Sequence, residues 1–170
     1  MNLRHLFDPD SIAVVGASAT EGKLGYEAMR SVADFDGPVY PVNPNGEGEV
    51  FGEPFVAAVG DVEDGVDLAL LCVPAPIVPD VVAECGEAGV GAAIVYAGGF
   101  AEAGEDGEAL QAGLIDAATE HDVALLGPNT SGYFMPHRDL YTSFVSSPEV
   151  VGPGNVAVVA QSGGIAHSLA

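Results

Sequence analysis

The chain has 170 residues, the length of one ordinary domain, and 48% of them are hydrophobic, enough for a real core. Its 25 acidic residues against 4 Lys and Arg leave a formal net charge of -21, which excludes the basic face that nucleic-acid binding needs. No apolar run approaches the ~18–20 residues of a membrane span, and Met1-Asn2-Leu3-Arg4-His5 lacks a secretory signal's apolar stretch.

The expected location is therefore the cytoplasm. A surface so rich in carboxylates repels itself unless salt screens it. Lys23 is the only lysine, and this composition fits a salt-loving microbe, with an ordinary acidic protein as the alternative. Cys72 and Cys85 lie 13 positions apart in apolar runs. They match no zinc pattern and no redox pair, and read as small buried hydrophobes.

Short apolar runs alternate with helical patterns along the chain. Residues 11–16 (SIAVVG) predict a buried strand, and residues 22–33 the helix after it. Residues 38–43 (PVYPVN) predict a second strand, whose prolines place it at an edge or at strand ends. Residues 67–73 (DLALLCV) form the strongest strand pattern, and a helix opens near Pro76, a residue suited to a first turn. A fourth strand follows at 91–96 (GAAIVY), a helix at about 106–121, a fifth strand at 123–126 and a sixth at 155–160 (NVAVVA). Continuous apolar strands joined by helices predict an α/β fold: a Rossmann-like, doubly wound parallel sheet.

Residues 133–154 carry no clear helix and are dense in Pro, Ser and Gly. This divides the chain into a domain over 1–150 and, over 151–170, the first strand and helix start of a second α/β domain, flavodoxin-like by the family resemblance that the motifs carry. The sequence reads as cut from a longer polypeptide.

The first strand-to-helix turn, Gly16-Ala17-Ser18-Ala19-Thr20-Glu21-Gly22-Lys23, joins a small-residue loop to a helix start. Free backbone N–H groups, two hydroxyls and one ammonium there suit a phosphate, with Glu21 turned away. The alternative is a solvated lysine at a helix start. A dinucleotide fingerprint GxGxxG is absent, and residues 43–45 after the second strand carry no carboxylate to hold a ribose. Both departures disfavour an NAD-dependent oxidoreductase. Four further small or proline-stiffened clusters end strands: Val42-Asn43-Pro44, Val73-Pro74-Ala75-Pro76, Tyr96-Ala97-Gly98-Gly99 and Gly127-Pro128-Asn129-Thr130. Open α/β sheets bind ligands beyond the carboxyl ends of their strands, so all five turns fall on the binding edge.

Taken in order, GAS…G, VYPVNP, VPAP, the Gly-Gly after the fourth strand, GPNTSG and GNVAVVAQSGG resemble the CoA-binding subunit of nucleoside-diphosphate-forming acyl-CoA synthetases. These include acetate–CoA ligase (ADP-forming) and succinyl-CoA synthetase, and the resemblance spans essentially the whole chain. It implies coenzyme A as the ligand. Gly16 and the loop Ser18, Ala19, Thr20, Glu21, Gly22 and Lys23 would hold its phosphates. Asn43 to Gly46 would lie near the adenosine beside Val73, Pro74 and Ala75. Tyr96, Ala97 and Gly98 would flank the pantetheine arm on its way to an active centre lined by Asn129.

The resemblance further implies an organic acid as co-substrate and a reaction that passes a phosphoryl group through a histidine. The helix start Ser162-Gly163-Gly164 resembles the one that steadies this phosphohistidine, as a helix N-terminus suits a dianion. The family's histidine lies downstream of residue 170, and His5, His121, His137 and His167 lack its position and flanks. No catalytic residue and no metal ligand is therefore expected in this segment. ATP, ADP and Mg²⁺ would belong to an ATP-grasp domain or subunit, and the full enzyme is expected to be an oligomer. This segment alone should bind CoA without turnover. A stand-alone CoA-sensing module and a CoA-domain/acetyltransferase fusion remain alternatives.

Overall fold

A computed structural model of the chain describes residues 3–144 and 152–165. A short helix α1 (Arg4–Phe7) leads into strand β1 (Ile12–Val15) and helix α2 (Leu24–Ser31). Strand β2 (Val39–Val42) is followed by a small hairpin of β3 (Glu49–Val50) and β4 (Glu53–Pro54). Then come β5 (Leu68–Leu71), α3 (Val78–Glu87), β6 (Ala92–Val95), α4 (Glu105–Glu120) and β7 (Ala124–Leu126). A second hairpin, β8 (Phe134–Met135) with β9 (Leu140–Tyr141), closes this part of the chain.

Five strands make one parallel sheet in the order β2-β1-β5-β6-β7. Their side chains alternate between the two faces, as strand geometry dictates. Ala13, Val15, Ala69, Leu71, Ala93 and Val95 face a core shared with Val78, Val82 and Cys85 of α3 and with Leu114 and Ala118 of α4. Ile12, Val14, Leu68, Leu70, Ala92 and Ile94 face the other core, with Ala28 and Met29 of α2, Leu6 and Leu140. The three central strands are buried throughout, which explains their continuous apolar runs. Pro41 sits inside β2, as an edge strand permits.

The α/β sheet is the expected one, with helix and strand ends shifted by one or two residues. Residues 155–160, expected as a sixth strand, take no strand conformation. Val156 and Val159 are almost fully exposed, and no strand among the described residues pairs with this run. A ladder needs a neighbour to satisfy its backbone groups, and apolar composition does not supply one.

Among the described residues no helix is long and apolar enough to cross a membrane, and no group of His, Cys, Asp or Glu has metal-site spacing.

Candidate functional site

The strand order reverses between β1 and β5, because β1 is followed in sequence by β2 on one side and lies against β5 on the other. In doubly wound sheets the crevice at the carboxyl ends of such a pair is where ligands bind. Gly16 ends β1 at this point with φ +85°, and a Cβ there would meet the Cys72 carbonyl oxygen at 2.6 Å. Only glycine fits. Gly25, in the first turn of α2, lies so close to the loop that a Cβ would meet the Gly16 carbonyl oxygen at 2.1 Å. These two glycines let α2 start directly behind the β1 turn.

Within that turn, the N–H groups of Gly16 and Ala17 both donate to the Val42 carbonyl, at 2.9 and 3.3 Å. The Thr20 N–H donates to Ser18 Oγ at 3.1 Å, and the Lys23 N–H to the Thr20 carbonyl at 3.3 Å. Ser18, Ala19, Glu21 and Gly22 have backbone N–H groups with no partner among the described residues. Ala19, Thr20, Glu21, Gly22 and Lys23 are exposed, and Lys23 stands at the N-terminus of α2. The turn can offer unpaired donors and one positive charge to an anion.

Asn43 acts as a staple rather than an open donor. Its Nδ2 donates to the Ala17 carbonyl at 2.8 Å while its Oδ1 accepts the Asn45 N–H at 2.9 Å, tying the β2 turn to the β1 turn. Gly46 is packed against the Phe55 ring, where a Cβ would come within 2.4 Å. Val73 and Ala75 are half-buried and Pro74 is exposed, at the carboxyl end of β5. Gly99 lies across from Ala75, at 3.8 Å between its Cβ position and the Ala75 methyl, so the β5 and β6 turns adjoin.

Ala97 and Gly98 reach the surface after β6, but the Tyr96 ring does not. Tyr96 continues the inward phase of Ala92 and Ile94, is 5% exposed, and donates its hydroxyl to the Thr142 carbonyl. Burial and that core environment push its pKa well above the ordinary tyrosine value. Only its backbone can border a ligand. Cys72, beside Gly16, is pushed up to about 12 by burial and stays a thiol at neutral pH.

Asn129 follows β7 in a left-handed conformation, φ +57°, with its N–H on the Ala97 carbonyl at 2.9 Å. Glu102, which the sequence pattern did not single out, joins it. Glu102 Oε1 accepts the Gly99 N–H at 2.7 Å and Asn129 Nδ2 at 3.3 Å. The Gly99 N–H, then its own backbone, hold this carboxyl below the ordinary glutamate range. The 163–165 helical turn approaches the same region: a Cβ on Gly163 would meet Ser131 Oγ at 2.8 Å. Thus Ser162, Gly163 and Gly164 stand next to the turn that carries Asn129.

The three described histidines lie elsewhere. His5 is 3.5 Å from Asp67, which precedes β5, His121 packs on Gly86 after α4, and His137 meets the Gly154 carbonyl at 3.1 Å. His167 lies outside the described residues. A cavity of about 460 Å³ opens at the amino ends of β1 and β2, lined by Asp10, Phe35, Asp36, His137 and Arg138 among others. That is the opposite edge of the sheet, and its wall mixes three carboxylates with one arginine and one histidine.

The five carboxyl-end turns therefore lie side by side along one edge of the sheet, and comparison with known proteins gives the class. The chain belongs to the family described as CoA binding domain, whose pattern matches residues 10–136. It is 38% identical over 164 residues to acetate–CoA ligase (ADP-forming) II of Archaeoglobus fulgidus, covering 95% of this chain and 24% of that protein. It is 38% identical over 174 residues to the alpha subunit of acetate–CoA ligase (ADP-forming) I of Pyrococcus furiosus, covering 99% of this chain and 37% of that one. The fold superposes with a TM-score of 0.90 and 39% identity on the dinucleotide-forming acetyl-coenzyme A synthetase 1 of Ca. Korarchaeum cryptofilum, solved with phosphate and ADP. This chain covers 36% of that structure, so it spans between a quarter and two-fifths of the relatives it matches.

Proposed function

We propose that this domain binds coenzyme A along the carboxyl edge of its sheet, as the N-terminal part of an ADP-forming acyl-CoA synthetase. The observation that carries this reading is the β1 turn. Its glycine-enforced approach to β5, its unpaired N–H groups and its lone lysine make an anion cradle at the switch point of a CoA-binding-family domain. Ser18 through Lys23 would hold the phosphates, residues 43–46 and 73–75 the adenosine end, and the backbone of 96–98 the pantetheine arm leading to Asn129. When bound, CoA supplies a thiol that takes the acyl group as a thioester.

The chain's own residues bind and orient that carrier. Cys72 is no competing nucleophile, because its burial keeps it protonated. The complete enzyme would convert an organic acid, CoA and ATP to acyl-CoA, ADP and phosphate, with ATP and Mg²⁺ held by an ATP-grasp domain or subunit. In this reading residues 151–170 open a second α/β domain, whose helix start at Ser162 would face the active centre. The setting is the cytoplasm of a salt-loving organism, and the enzyme an oligomer.

Calorimetric titration of the chain with CoA, and separately with NAD⁺, in molar KCl tests the reading. Saturable CoA binding without an NAD⁺ signal is expected. Binding of NAD⁺ in place of CoA would overturn it and return the domain to the oxidoreductases.

A further inference from the structure

The turns after β6 and β7 meet at one carboxylate. Glu102 sits in the short turn Ala101–Ala103 that follows β6, and its side chain, although exposed, folds back onto the turn it follows. One oxygen, Oε1, accepts both the Gly99 N–H at 2.7 Å and Asn129 Nδ2 at 3.3 Å. Asn129 lies 27 residues further along, on the turn after β7, and its own N–H returns to the Ala97 carbonyl at 2.9 Å. The two turns are thus laced by a backbone bond at Ala97 and a side-chain bond at Glu102. Gly98 lies between them, and a Cβ there would stand 3.2 Å from both Asn129 Oδ1 and Glu102 Oε1. Glycine at 98 and the Glu102 bonds together set the gap between the turns.

In a chain with 25 acidic residues, most carboxylates serve as solvated surface charge. Glu102 is exposed as well, but it also accepts a backbone and a side-chain N–H group from two different turns. Asn129 is held in a left-handed backbone conformation that side chains seldom adopt, which asparagine tolerates, and its amide orientation is decided by the Glu102 bond.

We infer that Glu102 is a positioning residue: by holding Asn129 and Gly99 together it fixes the channel through which the pantetheine arm of CoA passes toward the active centre. This inference rests on the CoA reading and assigns to Glu102 no contact with the reacting atoms. Its effect should fall on the arm and spare the nucleotide end, which is held at the β1, β2 and β5 turns.

The test compares the full chain with E102A and E102Q, titrated with CoA and with adenosine 3′,5′-bisphosphate, which carries the nucleotide end without the arm. Alanine removes the acceptor, whereas glutamine keeps an Oε1 able to accept both bonds. We expect E102A to weaken CoA binding roughly tenfold, the scale of losing one or two hydrogen bonds, with E102Q within about twofold of wild type. Both variants should bind the bisphosphate as wild type does. Unchanged CoA affinity in E102A would overturn the inference, as would equal loss of both ligands, which marks a general folding defect. If E102Q fell as far as E102A, charge rather than hydrogen-bond acceptance would be the cause, and the positioning role would be wrong. A wild-type chain that binds neither ligand would instead refute the CoA reading itself, with Glu102 falling as its consequence.

Discussion

Residues 68–71 (LALL) and 155–160 (NVAVVA) are similar in apolar character and have opposite fates. Every side chain of Leu68–Leu71 is fully buried, between β1 on one side and β6 on the other. Val156 is 86% and Val159 98% exposed, on backbone that pairs with no strand among the described residues. The difference lies in the neighbours. A strand is stabilised by ladders on its edges and by packing on its faces, so an apolar run becomes one only where other elements provide both. The same contrast separates the packed sheet that positions the carboxyl-end turns from the segment that approaches them through Gly163 and Ser131.

Substitutions grade this contrast. Leu70→Ala removes a side chain with no exposed surface from the centre of the sheet and should cost about 2–5 kcal/mol in denaturant unfolding. A loss below about 1 kcal/mol would mean that the two-faced core is not as packed as described. Gly16→Ala forces a side chain into a left-handed turn and against the Cys72 carbonyl. It should cost about 2–4 kcal/mol and weaken CoA binding as well, since the β1 turn would have to move away from the end of β5. Lys23→Ala touches only an exposed cation. It should leave the unfolding midpoint in place and weaken CoA binding by roughly 1–3 kcal/mol in calorimetry. An unchanged affinity would remove Lys23 from the phosphate site.

An effect confined to alkaline pH follows from the buried thiol of α3. Burial, and then the neighbouring Glu84, push Cys85 from 9.0 up to about 12. The unfolded chain loses this proton above about pH 9 while the folded chain keeps it, so stability should fall as pH rises between about 9 and 12. Cys85→Ala should flatten that decline in a pH series of unfolding curves, and an identical slope would contradict the burial. Smallest of all, Val159→Ala should change the stability of this chain by less than about 0.5 kcal/mol, because the side chain packs on nothing described. A core-sized loss there would erase the contrast with Leu70.

Much of this was legible in the residues. Central strands of a parallel sheet are buried on both faces, so β1, β5 and β6 stand out as unbroken apolar runs, and the turns that end them stand out by their glycines and prolines. Pro41 correctly marked an edge. The two hairpins were not legible, because strands of two residues such as Glu49–Val50 are too short to show a period. The run at 155–160 is the converse case: its composition is that of a strand, but composition carries no information about which strand would lie beside it, and among the described residues none does.

The carboxyl edge of the sheet divides in the same way. Gly16 and Lys23 announce themselves by type and place in a strand-to-helix turn. Tyr96 ends a strand at the carboxyl edge, but its phase with Ala92 and Ile94, which sends the ring inward to Thr142, shows only in the structure. Asn43 turned out to spend its amide on Ala17 and Asn45. Glu102 could not be singled out among 25 acidic residues, since its role depends on a meeting with Asn129 across 27 positions.

The central claim is that CoA lies along the carboxyl edge of the sheet, from the β1 turn to the β7 turn. Amide hydrogen exchange of the chain with and without CoA, in molar KCl, tests it most directly. Protection concentrated in residues 16–24, 43–46, 72–75 and 96–102 is the predicted result. Protection confined to the opposite edge, around Asp10, Asp36 and Arg138, or none in the β1 turn under saturating CoA, would contradict it.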